Sequence, residues 1–242
     1  MPSFESMQAG YRNLWSKAEI TPSQRDELER AVGRIIDGKQ RYQWVEEKTK
    51  VPWHWVGCTH YRESASSFDG VLHNGQDIIG KGTKTTWVPK GRGPFDTWEE
   101  SAIDAVNLKE LHKVPEWSVE RALYEFERYN GWGYNGRINS PYVWAKTNLQ
   151  QRGKYIADGE YSASTWDAQP GTAALLKVLA EKDESVAGWI AGESMPPEDS
   201  SVVVPPPSVE ALGQYTTDAL IAELLERPNV ADVQIIYNRA NK

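Results

Sequence analysis

Leu28, Ala31, Val32, Ile35 and Ile36 recur three and four residues apart behind Thr21-Pro22, a threonine cap with proline at the first helical position. This pattern predicts one amphipathic helix over residues 22–46. Pro52 opens a second helix, along which Trp53, Val56, Gly57, His60 and Glu63 fall on one stripe. A carboxylate at the end of such a stripe faces the interior or a cleft. Residues 70–93 change texture to glycine with alternating Thr and Val, which predicts a β-hairpin or small sheet with loops. Thr97 and Glu100 read as a capping box for a helix with Ile103, Val106 and Leu111 inward. Ser118 starts another helix, with Leu123 and Phe126 inward and Asn130-Gly131 as its stop, and Ala173–Leu179 reads as a last core helix. The sum is a mainly α fold with one small β element.

The periodicity ends near residue 190. Residues 191–208, AGESMPPEDSSVVVPPPS, combine prolines with acids and serines and read as an extended linker. Beyond it, Thr217–Arg227 reads as a short helix and Val233–Tyr237 as a strand, in a tail (209–242) too small for a robust core of its own. The expected organisation is a domain over 1–190, a linker over 191–208 and a small tail over 209–242. Most of the formal charge of −7 lies beyond residue 190, which leaves the main domain near neutral.

Composition narrows the chemistry. No basic face rich in Lys and Arg is visible, so a nucleic-acid partner is not expected. No run of about 18 apolar residues exists, so neither is stable membrane insertion. The opening MPSFESMQAGYRNLW lacks the basic and apolar regions of a signal peptide, which predicts an unconventional route out of the cell. Cys58 is the single cysteine and reads as core. His54, His60, His73 and His112 lack zinc-protease spacing, and neither a metal nor a cofactor is expected. The 11 Trp and 11 Tyr suit either core filling or a cleft that stacks on sugar rings.

Cleaving a glycosidic bond needs a proton donor that is still protonated near neutral pH, and burial against apolar neighbours raises a carboxyl pKa. Glu63, behind the Trp-rich run, meets that need. The alternatives are an ion pair with Arg62 or His60, or a solvated helix end; adjacent helical residues diverge, which weakens the Arg62 pairing.

HYRES resembles the Glu-Ser signature of lytic transglycosylases and goose-type lysozymes, in which the helix-borne glutamate is the catalytic acid. VPWHWVGCTHYRES, LHNG, TTWVPKGRG, PFDTWEESAIDAV, YNGWGYNGRINSPYVWAKTN, GKYIADG and GTAALLKVL together resemble a bacterial and phage lysozyme-family domain found in endolysins, over roughly residues 25–182. The resemblance implies a lysozyme-like α+β fold, a helical domain with a small β-hairpin flanking a cleft. It implies Glu63 as general acid, with Asp77 and Thr85 positioning a water; Thr83 is the alternative threonine and Asp69 the rival carboxylate. It also implies that the loop after the Ser118 helix lines the saccharide cleft. Tyr129, Asn130, Trp132, Tyr134, Tyr142 and Trp144 are then sugar-binding candidates, with core packing as the competing account of the same aromatics.

The implied activity is cleavage of the β-1,4 bond between N-acetylmuramic acid and N-acetylglucosamine in peptidoglycan, by hydrolysis or lytic transglycosylation. A lysozyme-fold module that binds the wall or builds a virion without turnover is the reading from another class. The implied location is host cytoplasm followed by periplasm and cell wall, or the virion. The acidic tail is expected to mediate self-association or docking to a virion protein rather than to tether the chain to anionic wall polymers.

Overall fold

The computed structural model describes residues 2–157 and 159–192. They belong to the first of two units into which the chain divides, Met1–Met195 and Pro196–Lys242. Apart from Ala191 and Gly192, the expected linker lies outside the described residues, as does the whole tail with its expected helix and strand.

Among the described residues the fold is mainly helical with one small antiparallel sheet. In chain order the elements are α1 (Phe4–Lys17), α2 (Arg25–Asp37), α3 (Lys39–Thr49), α4 (Trp53–Ser64), α5 (Trp98–Leu108), α6 (Val119–Asn130), α7 (Pro141–Trp144), β1 (Lys154–Ala157), β2 (Glu160–Ser162), α8 (Thr172–Lys182) and α9 (Glu184–Ala191), with single 3-10 turns at Pro22–Gln24, Leu111–Lys113 and Trp132–Tyr134. No described helix is long and apolar enough to cross a membrane.

Helix α4 is the axis of the first unit. Every residue from Trp53 to His60 is buried, because α2, α3, α6 and α8 all pack on it. Trp55 stacks on Phe126 of α6 at 5.1 Å and donates its indole hydrogen to Ala122 O at 3.2 Å. Gly57 lets α2 and α3 close in: a Cβ there would sit 2.7 Å from Ile35 Cγ2 and 3.1 Å from the Tyr42 ring. Cys58 is fully buried, as expected of a core cysteine.

The single helix expected over 22–46 is three pieces. A 3-10 turn leads into α2, and α2 stops at Gly38, where Tyr42 folds back over the backbone; a Cβ at Gly38 would meet its ring at 2.8 Å. The chain bends there, and α3 lays Tyr42 and Val45 into the core. Thr97 and Glu100 form the expected capping box, Ser118 caps α6, and α6 ends at Asn130 before Gly131. Sequence patterning did not reveal α1, which packs along α6.

Residues 70–93 correct the expected hairpin. They form no strand, and their one ladder contact is an isolated bridge between Gly70 and Asp77. Scattered backbone bonds such as Thr85 N–H to Arg92 O (2.9 Å) are supplemented by side chains: Gln76 Oε1 accepts from the amides of Thr86 (2.8 Å) and Trp87 (3.1 Å), and Asn74 Nδ2 donates to Val88 O (3.1 Å). The small sheet is β1–β2, more than sixty residues further on, with Tyr155 opposite Tyr161.

Candidate active site

The last turn of α4 sends three consecutive side chains to three destinations. Arg62 Nη2 donates to Asp167 Oδ2 at 2.8 Å, and Nη1 reaches Gln169 O and Pro170 O, both at 3.3 Å. Ser64 Oγ donates to Ser67 O at 3.1 Å, within a turn that starts at Ala65 with φ 53°. Between them Glu63 faces a cleft. His60, one turn earlier, is spent on structure. Its Nε2–H donates to Ser67 O (2.9 Å), so its Nδ1 accepts from Tyr42 Oη (2.8 Å), and burial pushes its pKa down to about 4. Neither Arg62 nor His60 pairs with Glu63.

Glu63 Oε1 accepts a hydrogen bond from Tyr142 Oη at 2.8 Å. The residue keeps some surface, yet protein atoms crowd its carboxyl, and this desolvation raises its pKa to about 7. The Tyr142 hydroxyl and the charges of Arg62 and Lys109 pull the other way and are outweighed. Glu63 is therefore a carboxyl poised to give up a proton near neutral pH.

Two chambers meet at this group. One, of about 340 Å³, is bordered by Tyr134, Tyr142, Tyr155 and Gln169; the other, of about 240 Å³, by His73, Val88, Lys109 and Tyr129. Glu63 and Asn130 line both. Tyr129 donates to Leu72 O (2.7 Å), and Tyr134 Oη accepts from the amide of Tyr155 (3.1 Å), so both rings are fixed in place.

Of the residues expected at the site, Glu63, Tyr129, Asn130, Tyr134 and Tyr142 come together. Trp132 and Trp144 do not. Trp132 packs on Tyr124 at 5.1 Å, and Trp144 is almost wholly buried in the core. Asp77 lines neither chamber; its side chain is 61% exposed and pairs with Lys81 at 2.6 Å. Thr85 is buried, donating to Pro89 O (2.6 Å) and accepting from the Arg92 amide (2.9 Å), which braces the loop. Thr83 and Asp69 are exposed and also lie off both chambers. The water-positioning pair expected from Asp77 and Thr85 is thus not assembled, because residues 70–93 fold as a side-chain-braced loop instead of a hairpin.

Several residues escaped the sequence reading. Lys109, at the end of α5, lines the second chamber, donates to Tyr129 O at 2.9 Å and lies over the Tyr129 ring. Asp167 is buried between Arg62 and Lys154, each at 2.8 Å; burial pushes its carboxyl up, but these two cations outweigh it and hold it below the usual range. Asp104 links His73 (2.8 Å) and Arg92 beside the second chamber. No family model, curated protein or solved structure matches the chain.

Proposed function

We propose that the protein is a peptidoglycan-cleaving glycosidase acting on the β-1,4 bond between N-acetylmuramic acid and N-acetylglucosamine, with Glu63 as general acid. The observation that carries this reading is the Glu63 carboxyl itself, raised to about 7 by burial at the junction of two aromatic- and amide-lined chambers. A polysaccharide running through both chambers passes its linking oxygen beside this group. Tyr142 fixes the carboxyl's orientation and stabilises the anion left after proton transfer.

The position of Asp77 favours a single-carboxylate route for the second half of the reaction. Glu63 gives its proton to the leaving oxygen as the glycosidic bond breaks. The Glu63 carboxylate then takes the proton of the substrate's own 6-hydroxyl, whose oxygen bonds to the anomeric carbon. The enzyme returns to its starting protonation state and the product is a 1,6-anhydro sugar. In hydrolysis a water takes the place of the 6-hydroxyl.

Clearing of a peptidoglycan suspension by wild type, and not by Glu63→Gln, is the expected result. Mass spectrometry of the digest separates the routes: anhydromuropeptides mark transglycosylation and reducing ends mark hydrolysis. If wild type leaves the suspension turbid, the enzymatic reading fails and the wall-binding or virion module takes its place.

A further inference from the structure

The two chambers that meet at Glu63 are lined differently. Among the residues bordering the second, Lys109 is the one lysine or arginine. It is half-buried, and its ammonium donates to Tyr129 O at 2.9 Å without forming an ion pair among the described residues. An ammonium has three hydrogens to give, so two stay open. Its charge lowers the Glu63 pKa, which places it close to the reacting carboxyl. Cationic side chains border the first chamber too, but Arg62 and Lys154 both bind Asp167, each at 2.8 Å.

The apolar surface follows the same division. Val88 and Leu108 border the second chamber while 71% and 42% exposed. Asn74 Nδ2 holds the Val88 carbonyl at 3.1 Å, so the loop presents this side chain from a fixed backbone. In the first chamber the apolar surface is that of tyrosine rings, Tyr134, Tyr142 and Tyr155, beside Gly131 and Gly133.

The two sugars of a peptidoglycan strand differ only in the lactyl ether on carbon 3 of N-acetylmuramic acid. That arm carries one methyl and one carbonyl, the latter a carboxylate in bare strands and an amide where a stem peptide is attached. Val88 and Leu108 offer the methyl an apolar wall, and the open hydrogens of Lys109 offer the carbonyl oxygen a charge-assisted bond. The exposure of the same two aliphatic residues leaves the stem peptide a way out to solvent. N-acetylglucosamine lacks the arm and so leaves both features unused.

We infer that the second chamber takes the muramic acid ring of the bond to be cleaved, and that Lys109 selects this ring by donating to its lactyl carbonyl. The glucosamine ring then occupies the first chamber. The inference rests on the glycosidase reading of this site and gives the strand a direction: the anomeric carbon under attack lies on the Lys109 side of Glu63.

The test is calorimetric titration of the full chain carrying Glu63→Gln, in which Lys109 substitution cannot act through the Glu63 pKa. The two probes are a peptidoglycan tetrasaccharide stripped of its peptides and chitotetraose. The stripped strand should bind at least about tenfold more tightly, a difference of about 1.4 kcal/mol. Adding Lys109→Met should bring the two affinities within about twofold by weakening the stripped strand alone. Lys109→Gln, which keeps a donor for Tyr129 O, should do the same and serves where the methionine variant folds poorly. Amide shifts caused by N-acetylmuramic acid but not by N-acetylglucosamine should fall on Asn74, Leu108 and Lys109. Equal affinities, no saturable binding of either strand up to about 10 mM, a preference that survives both Lys109 variants, or lactyl-dependent shifts on Gly131 and Gly133 overturn the inference. Each of these leaves the glycosidase reading standing if the wild type still clears the wall suspension; failure to clear it removes that reading and this inference together.

Discussion

Tyr142 Oη and Glu63 Oε1 stand 2.8 Å apart, so the end of α4 and the four-residue α7 meet in one hydrogen bond. This bond favours the ionised carboxylate and restrains the rise that burial causes. Tyr142→Phe removes it without removing the ring. The Glu63 pKa should climb above its present value of about 7, and the alkaline limb of the activity profile should move up by roughly half to one unit. A pH–rate profile of the variant checks this; an unmoved limb excludes Glu63 as the titrating acid.

Glu63→Gln should lower the rate by about 10²–10⁴-fold, the usual worth of a positioned proton donor. It should also change stability in a pH-dependent way. The folded-state pKa is raised, so Glu63 contributes fully below its unfolded value of 4.5, and that contribution is lost as pH rises through about 7. Above pH 8 the glutamine variant should therefore be the more stable by roughly 1–3 kcal/mol, and at pH 4 the two should converge. Urea melts at the two pH values decide it.

Arg62 and Asp167, 105 residues apart in sequence, form a buried pair with side chains 6% and 1% exposed. Breaking such a pair from one side leaves a buried charge unmatched. Arg62→Met and Asp167→Asn should each cost about 3–5 kcal/mol, and the double variant should cost well under their sum. Additive losses in a denaturant cycle would mean the two residues act independently.

Gly75 has φ 72°, and a Cβ on it would lie 2.0 Å from the carbonyl oxygen of Glu63. Gly80 has a similar φ of 70° and open space around it. Gly75→Ala should cost about 2–4 kcal/mol and shift the end of α4, whereas Gly80→Ala should cost only the backbone strain of about 1–2 kcal/mol. Activity should fall with the first and survive the second. Equal effects would show that the loop does not seat the turn that carries Glu63.

Asp77→Asn should leave the rate within about twofold, since an exposed pair such as Asp77–Lys81 contributes little. Thr85→Val should instead lower the melting temperature, because it removes the two side-chain bonds that brace the 85–92 loop and leaves only its backbone bonds. A large rate loss in Asp77→Asn with folding intact would restore the two-residue hydrolytic arrangement.

Sequence patterning found what is local. The Trp53–His60 run announced a buried helix and Glu63 at its end, while Thr97 with Glu100 and Asn130-Gly131 announced their own termini. It missed what long-range packing decides. The break at Gly38 depends on Tyr42 folding over the backbone, which no period reveals. Residues 70–93 carry strand-like Thr and Val, yet Asn74 and Gln76 satisfy the loop's backbone before any ladder can. The aromatic residues divided the same way: Tyr142 reaches the carboxyl, while Trp144, two positions along, is wholly committed to the core. Lys109 and Asp167 carried no local signal, because each acquires its role from partners distant in sequence.

Glu63 occupies the penultimate position of α4, which ends at Ser64. The peptide dipoles of a helix add to a partial negative charge at its carbonyl end, and a carboxylate there is opposed by about 0.3–1 kcal/mol. This opposition acts in the same sense as burial and favours the proton-bearing form. It belongs to the backbone and not to any side chain, so it persists in the Tyr142 and Arg62 variants alike. Side-chain replacement can tune the acid, but its bias toward holding a proton is partly set by the direction in which the helix runs.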